Sequence, residues 1–359
     1  MIEGHSVDYH KPELALNLYT GVDYFRSLTN DIVATKAGDR VAITTMGFDP
    51  SDPIARSVIH ELSLAASRNV SVTFGIDAFA IMEPRSVGPL VLPYPIGKKT
   101  IHERYRALEE LNNNNVTCGI INMPNSRVAN LFAGRSHMKL AVVNSKTYIG
   151  GPSFQGCDRL DMVVGFEDQT SADFVYDLST SITEVSDTAK VLENEDKAYN
   201  LDDKTKLFID SGKPGQSLIL QEGVKIVDEA KEWLLIGCQF LPTGIIGKRL
   251  EKAMKRGVEV HIAYNHPSKY DRMNLAHSVI LALEKIKKSR AFFANQVSLD
   301  IPPLHTKALA NENVGMVGSH NLIETGVKFG TPEISLARYT PKFAQAVREL
   351  LLREIEVDP

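Results

Sequence analysis

The sequence predicts an α/β protein built from two fused, pseudo-symmetric halves, each a mixed β-sheet flanked by helices, with one active site at the interface between them. Three observations predict it. One short pattern of residues occurs twice; the same order of strand-like and helix-like segments precedes each copy; and a charged stretch containing Gly and Pro separates the two. Strands alternating with helical patterns imply a mainly parallel or mixed sheet covered by helices in each half.

The elements follow in order. In the first half a helical pattern over residues 21–36 leads into a strand over 40–45, a helix over 54–68 and a strand over 70–76. In the second half residues 223–231 lead into a strand over 233–236, a helix over 245–256 and a strand over 258–263. The join falls within residues 187–216, where Glu193-Asn194-Glu195-Asp196-Lys197 and Gly212-Lys213-Pro214-Gly215 break the apolar periodicity, as a surface connection would. The domains are therefore 1–195 and 196–359.

The repeated pattern carries the chemistry. The first copy reads His137-Met138-Lys139, Asn144 and Gly150-Gly151-Pro152-Ser153; the second reads His305-Thr306-Lys307, Glu312 and Gly318-Ser319-His320-Asn321. Counted from each His, Lys is at +2, a polar or acidic residue at +7, Gly at +13 and a small polar residue at +16. Each copy reads as strand, turn, strand, over 137–149 and 305–317, with its His opening a hairpin beside a cleft. A Lys two residues along a strand faces the same way as the His. Two imidazoles, two ammoniums and an Asn or Ser would supply a nucleophile, an acid and several donors to the non-bridging oxygens of a phosphodiester, without a metal.

These residues resemble the phospholipase D superfamily, whose signature is H-x-K-x4-D followed by G-S-x-N. The second copy matches closely, with Glu312 in the Asp position and Glu333, in Gly330-Thr331-Pro332-Glu333, where the family often has an acidic residue. The first copy departs further: Asn144 stands for Asp, Gly151 for Ser and Ser153 for Asn. Within the superfamily, the paired glycines and the downstream Arg159-Leu160-Asp161 look most like bacterial cardiolipin synthases. The resemblance implies a two-step displacement through a phosphohistidine. His137, Lys139, His305, Lys307 and Glu312 would be catalytic, and Asn144, Ser153, Ser319, Asn321 and Glu333 would bind the substrate phosphate, with Glu312 or Glu333 orienting a His. Family habit makes His137 the nucleophile; the better-preserved surroundings of His305 point the other way.

Composition bounds the substrate. The formal charge of -4 over 359 residues gives no strongly basic surface for nucleic acid. There is no arginine-rich or aromatic stacking segment either, so a phospholipid substrate is favoured over the alternative of a metal-independent nuclease acting on DNA or RNA. No signal peptide and no transmembrane run of about 18 apolar residues stands out, so a cytoplasmic protein, peripheral to the inner face of the membrane, is expected. The Pro-rich apolar loop over 81–96 and the residues 275–293, where apolar and basic side chains alternate, are candidate lipid contacts. Cys118, Cys157 and Cys238 have no metal-ligand spacing, and His261 and His266 lack a matching carboxylate or Cys. No cofactor is expected, and a monomer suffices for one site.

Overall fold

The computed structural model describes residues 13–81, 85–87, 90–92, 98–123, 134–157, 159–265, 296–299 and 303–356. Of the candidate lipid contacts, residues 275–293 lie outside the described residues, as does most of the 81–96 loop and His266.

In the first half β1 (Leu16–Thr20) leads into α1 (Gly21–Val33), β2 (Arg40–Thr45), α2 (Pro53–Ser67) and β3 (Ser71–Asp77). A small ribbon of β4 (Arg85–Val87) and β5 (Leu90–Leu92) comes next, then α3 (Lys98–Asn113), β6 (Thr117–Ile121), β7 (Leu140–Val143), β8 (Lys146–Gly150), β9 (Met162–Glu167), α4 (Gln169–Val185) and α5 (Thr188–Val191). The second half holds β10 (Lys197–Asp202), β11 (Thr205–Asp210), α6 (Leu218–Glu229), β12 (Trp233–Gly237), α7 (Gly244–Lys255), β13 (Glu259–Asn265), β14 (Gln296–Leu299), β15 (Ala308–Asn311), β16 (Gly315–Gly318), α8 (Glu324–Phe329), β17 (Glu333–Arg338) and α9 (Pro341–Glu356).

The first sheet runs β1-β9-β8-β7-β2-β3-β6 and the second β10-β11-β17-β16-β15-β12-β13-β14. Set side by side, β9-β8-β7-β2-β3-β6 and β17-β16-β15-β12-β13-β14 have the same order and the same sense of pairing. The β2–β3 and β3–β6 pairs are parallel, as are β12–β13 and β13–β14, and every other pair in these runs is antiparallel. The two halves are thus pseudo-symmetric mixed sheets. β10 has no partner in the first sheet.

Local sequence explains the elements. Thr20 caps α1 by accepting from the Asp23 amide, and Tyr24, Phe25, Leu28 and Ile32 recur at helical spacing as its buried face. The buried runs of β2 and β12 are covered on both faces, so they read as continuous apolar strands rather than alternating ones. Asp168 and Ser217 cap α4 and α6 in the same way.

The core has an outer layer in each half and one layer in common. Leu28, Leu62, Phe74 and Leu111 fill the first outer layer, and Ile226, Leu250, Ile262 and Leu309 the second. The common layer runs from Ile149, Val164 and Ile182 to Leu207, Val317, Leu336 and Val347 without a break. The two halves thus share one continuous apolar layer.

Two sequence expectations change. The 187–216 stretch is not a bare surface connection: it contains α5 and the β10–β11 hairpin, with the charged 193–196 run between α5 and β10 and the Gly/Pro turn at 212–215 after β11. The boundary set at residue 195 falls in the turn between α5 and β10. Moreover, His137 to Lys139 and His305 to Lys307 lie in extended segments just before β7 and β15, not within those strands. The segment before β7 is backed by Asp77 and the one before β15 by Asn265, whose side chains bind Ser136 and Leu304 respectively.

Candidate active site

The two repeated hairpins face one another across the join. A Cβ on Gly150 would stand 3.1 Å from the Cα of Gly318, so the glycines at +13 allow the two backbones to meet. Gly150 also has φ +85°, a conformation that side chains disfavour. In each hairpin that Gly donates its amide to the carbonyl of the pattern's Lys, 3.1 Å away for both Lys139 and Lys307.

Each histidine is held by the opposite half. The His137 amide donates to the Pro332 carbonyl at 2.9 Å, and its Nδ1 lies 3.1 Å from both carboxylate oxygens of Glu333. The His305 amide donates to the Leu160 carbonyl at 2.7 Å, and its Nδ1 lies 2.5 Å from Asp161 Oδ2. In both cases the residue before the carboxylate receives the backbone bond and the carboxylate takes the ring. With Nδ1–H donating to the acid, Nε2 is the ring nitrogen left for chemistry.

The lysines complete a compact charge cluster. Lys139 Nζ donates to the His137 carbonyl at 3.0 Å, and Lys307 Nζ donates to the His305 carbonyl. Both histidines, both lysines, Asp161 and Glu333 are more than nine-tenths buried. Burial pushes His137 down to about 4, partly countered by Glu333, and holds His305 well below its ordinary value. It brings Lys139 down to about 8 and Lys307 to about 7. Burial pushes the two acids up, but the groups that face them outweigh it: contact with His137, then His320 and Lys139, brings Glu333 down to about 2, and His305, Lys307 and Lys139 hold Asp161 below its usual range. The resting site is a pair of neutral imidazoles between two carboxylates and two lysines.

The other predicted residues divide. Ser319 is fully buried; its hydroxyl donates to Glu333 and accepts from the Ile334 amide at 3.0 Å, so it supports the carboxylate. Glu333 likewise orients His137, and as an anion it repels phosphate. Asn321 follows in the same loop, its Oδ1 buried and without a hydrogen bond among the described residues. Ser153 is half-buried, with its side chain against Gly47 after β2.

Asn144 and Glu312 are not brought to the site. Both stand at the turn ends of their hairpins, because a residue at +7 lies at the far end of the strand that follows the His. Asn144 has φ +54° and its side chain accepts from the Arg40 amide at 3.1 Å. Glu312 accepts from the Lys231 and Glu232 amides at 3.0 and 3.4 Å.

Asp161 is the residue that sequence reasoning passed over. Its signal was present: an acid immediately precedes or opens the strand after each hairpin, at Asp161 before β9 and at Glu333 in β17. His320 was noted only as a variable position. It is buried, with Nδ1 accepting from the Leu322 amide at 2.8 Å, which makes Nε2 its protonated nitrogen.

Comparison with known proteins bears on the fold. A crystal structure of phosphatidylserine synthase from Haemophilus influenzae Rd KW20 superposes with a TM-score of 0.66 at 14% identity, covering 94% of this chain and 85% of that one. The chain has the two-half phospholipase D fold. Polyphosphate kinase from Porphyromonas gingivalis is also similar, with a TM-score of 0.54 at 13% identity over 96% of this chain and 51% of that one. No protein-family model matches the chain, and no curated protein sequence does. In this example of the phospholipase D fold, no helix among the described residues is long and apolar enough to cross a membrane. Nor do the described residues contain a group of three or more His, Cys, Asp and Glu placed to hold a metal ion.

Proposed function

We propose that the protein is a phosphodiesterase or phosphatidyltransferase of the phospholipase D superfamily that acts on phospholipids in the manner of a cardiolipin synthase. The observation that carries this reading is the crossed pair of buried histidines, each with Nδ1 fixed by a carboxylate of the opposite half and a buried lysine two residues away.

The chemistry follows from that geometry. One neutral imidazole attacks phosphorus through Nε2, forming a P–N bond while the P–O bond to the leaving alcohol breaks. The other imidazole, protonated, gives its Nε2 proton to the departing oxygen. It then takes a proton from water or a second alcohol, whose oxygen displaces the first histidine. The carboxylates stabilise the imidazolium charge that develops on each ring. Lys139 and Lys307 neutralise the phosphate oxygens, with Asn321 and Ser153 beside them. Glu333 and Asp161 balance the two lysines in formal charge, so a bound phosphodiester anion makes the cluster net negative. That charge draws in the proton the acid needs.

A lipid substrate is supported by an exposed aromatic side chain near the site: Phe329, 45% exposed, accepts at its carbonyl from the amide of Gly134, three residues before His137. The phosphatidylserine synthase among similar folds and the acidic net charge point the same way. Contact with the bilayer would be peripheral.

The test incubates the protein with phosphatidylglycerol liposomes, with glycerol or serine as acceptor and no added metal, beside a His137→Ala/His305→Ala variant. Cardiolipin, phosphatidic acid or phosphatidylserine formed only by the unmodified protein supports the reading and distinguishes transfer from hydrolysis. Cleavage of single- or double-stranded DNA with the lipid untouched refutes it in favour of a nuclease.

A further inference from the structure

The two half-sites match in topology but not in charge. Behind His137, β3 ends in Asp77, whose carboxylate accepts from the Ser136 amide at 2.8 Å and from Asn122 Nδ2 at 2.8 Å. Behind His305 the corresponding strand, β13, ends in Asn265, a neutral amide that binds Leu304 through both its groups at 2.6 Å. The acid that holds His137 is Glu333, paired in register with Asp210 on β11. Thr20 on β1 pairs with Met162, which places Gly21, with no side chain, beside Asp161. In the other direction, Arg159 stands two residues before Asp161 and acts on Lys307, whereas Thr331 stands two residues before Glu333.

More carboxyl groups therefore stand on the His137 side, although burial pushes Asp77 up to about 6 and Asp210 up to about 7, and Lys307 weighs more heavily on His305 than on His137. His137 faces Glu333, Lys139, Lys307 and, beyond Glu333, His320, with Asp77 acting on Lys139 and the Arg135 guanidinium 3.9 Å from Asp77. His305 faces Asp161, Lys307 and Lys139, with Arg159 acting on Lys307.

We propose that His305 is the nucleophile and His137 the general acid, the reverse of the order that the family resemblance implies; this rests on the phosphodiester-transfer reading above. Of the two imidazoles, His137 is the one that a proton entering with an anionic substrate favours, because Glu333, with Asp210 beside it, and Asp77 lie on its side. His305 stays neutral, with Nδ1 bound end-on to one oxygen of Asp161 and its Nε2 lone pair available. After burial, the strongest influence on His137 is the Glu333 carboxylate, which favours its protonation. On His305 it is the Lys307 cation, which opposes it. In the first step the His305 Nε2–P bond forms, the P–O bond to the leaving group breaks, and the His137 Nε2 proton goes to that oxygen. In the second, His137 takes a proton from the incoming hydroxyl, its oxygen bonds to phosphorus, and the P–N electron pair returns to His305.

The experiment uses bis(p-nitrophenyl) phosphate, whose leaving group needs no protonation, with enzyme and substrate in comparable amounts. His137→Asn is expected to keep a burst of p-nitrophenolate of about one per enzyme, and to lose about 100- to 10,000-fold on a phospholipid with a poor leaving group. His305→Asn is expected to give no burst. Alkaline quenching of the unmodified protein during turnover, followed by peptide mass spectrometry, is expected to find the phosphoryl group on His305, a result that does not depend on either variant folding. An adduct on His137, or a burst retained by His305→Asn and lost by His137→Asn, overturns the assignment while leaving the phosphodiester reading intact. No release from any phosphodiester by the unmodified protein overturns both.

Discussion

Gly150 and Gly318 meet backbone to backbone across the join between the halves, and no side chain fits between them. Gly150→Ala should therefore lose stability twice, through left-handed strain of about 1–2 kcal/mol and through forced separation of the hairpins. Gly257→Ala is the control: it has φ +89° but nothing within 4 Å of the added methyl. Denaturant unfolding should rank Gly150→Ala well below Gly257→Ala, and phosphodiesterase activity should fall only in the former. Equal losses would mean that the close approach has no energetic weight.

Asp161→Asn and Glu333→Gln keep the shape of each acid and remove its charge. An amide offers the ring either an NH2 or a carbonyl, so it no longer enforces the Nδ1–H tautomer or stabilises an imidazolium. A fall in kcat of about 100- to 10,000-fold is expected for each, with little change in substrate binding. Full kcat with a raised KM would contradict the orienting role. Ser319→Ala should produce a milder version of the Glu333 effect, since it removes one support of that carboxylate.

The residues at +7 are predicted to be structural. Glu312→Gln should leave activity unchanged, because its partners are two backbone amides at the start of β12. Asn144→Ala should cost about 1 kcal/mol through its positive φ and the lost Arg40 bond, and Asn144→Gly should recover part of it. Loss of turnover in a fully folded Glu312→Gln protein would restore it to the active site.

How much of this was legible in the sequence depended on whether a contact is local. The histidines, lysines and glycines repeat at fixed offsets because each half-site is one hairpin, so spacing alone exposed them. Asp161 and Glu333 act on the histidine of the opposite half, 144 and 196 residues away, and no local period reports such a pairing. The +7 position stood out through its family spacing, whereas Asn144 and Glu312 stand at the turns of their hairpins, bonded to backbone amides. The β10–β11 hairpin was hidden by what flanks it, since the charged 193–196 run before it and the Gly/Pro stretch at 212–215 after it resemble a linker.

Lys307 is predicted to set the alkaline limit of activity. Burial first, then Lys139 and Arg159, bring its ammonium down to about 7, while Asp161 and Glu333 oppose the fall. Its charge on the phosphate is thus lost as pH rises through about 7, far below an ordinary lysine. Unfolding does not explain such a loss. In the unfolded chain Lys307 keeps its proton to its ordinary value of 10.5, so between about 7 and 10.5 the unfolded state binds more protons and this residue makes folding more favourable as pH rises. The kcat/KM profile of the unmodified enzyme should therefore fall above about pH 7 while its thermal stability does not. Lys307→Arg stays charged throughout, so its limb should move up to that of Lys139, at about 8, with a lower maximum because the guanidinium fork fits differently. An alkaline limb that stays in place in Lys307→Arg would assign the loss to another group.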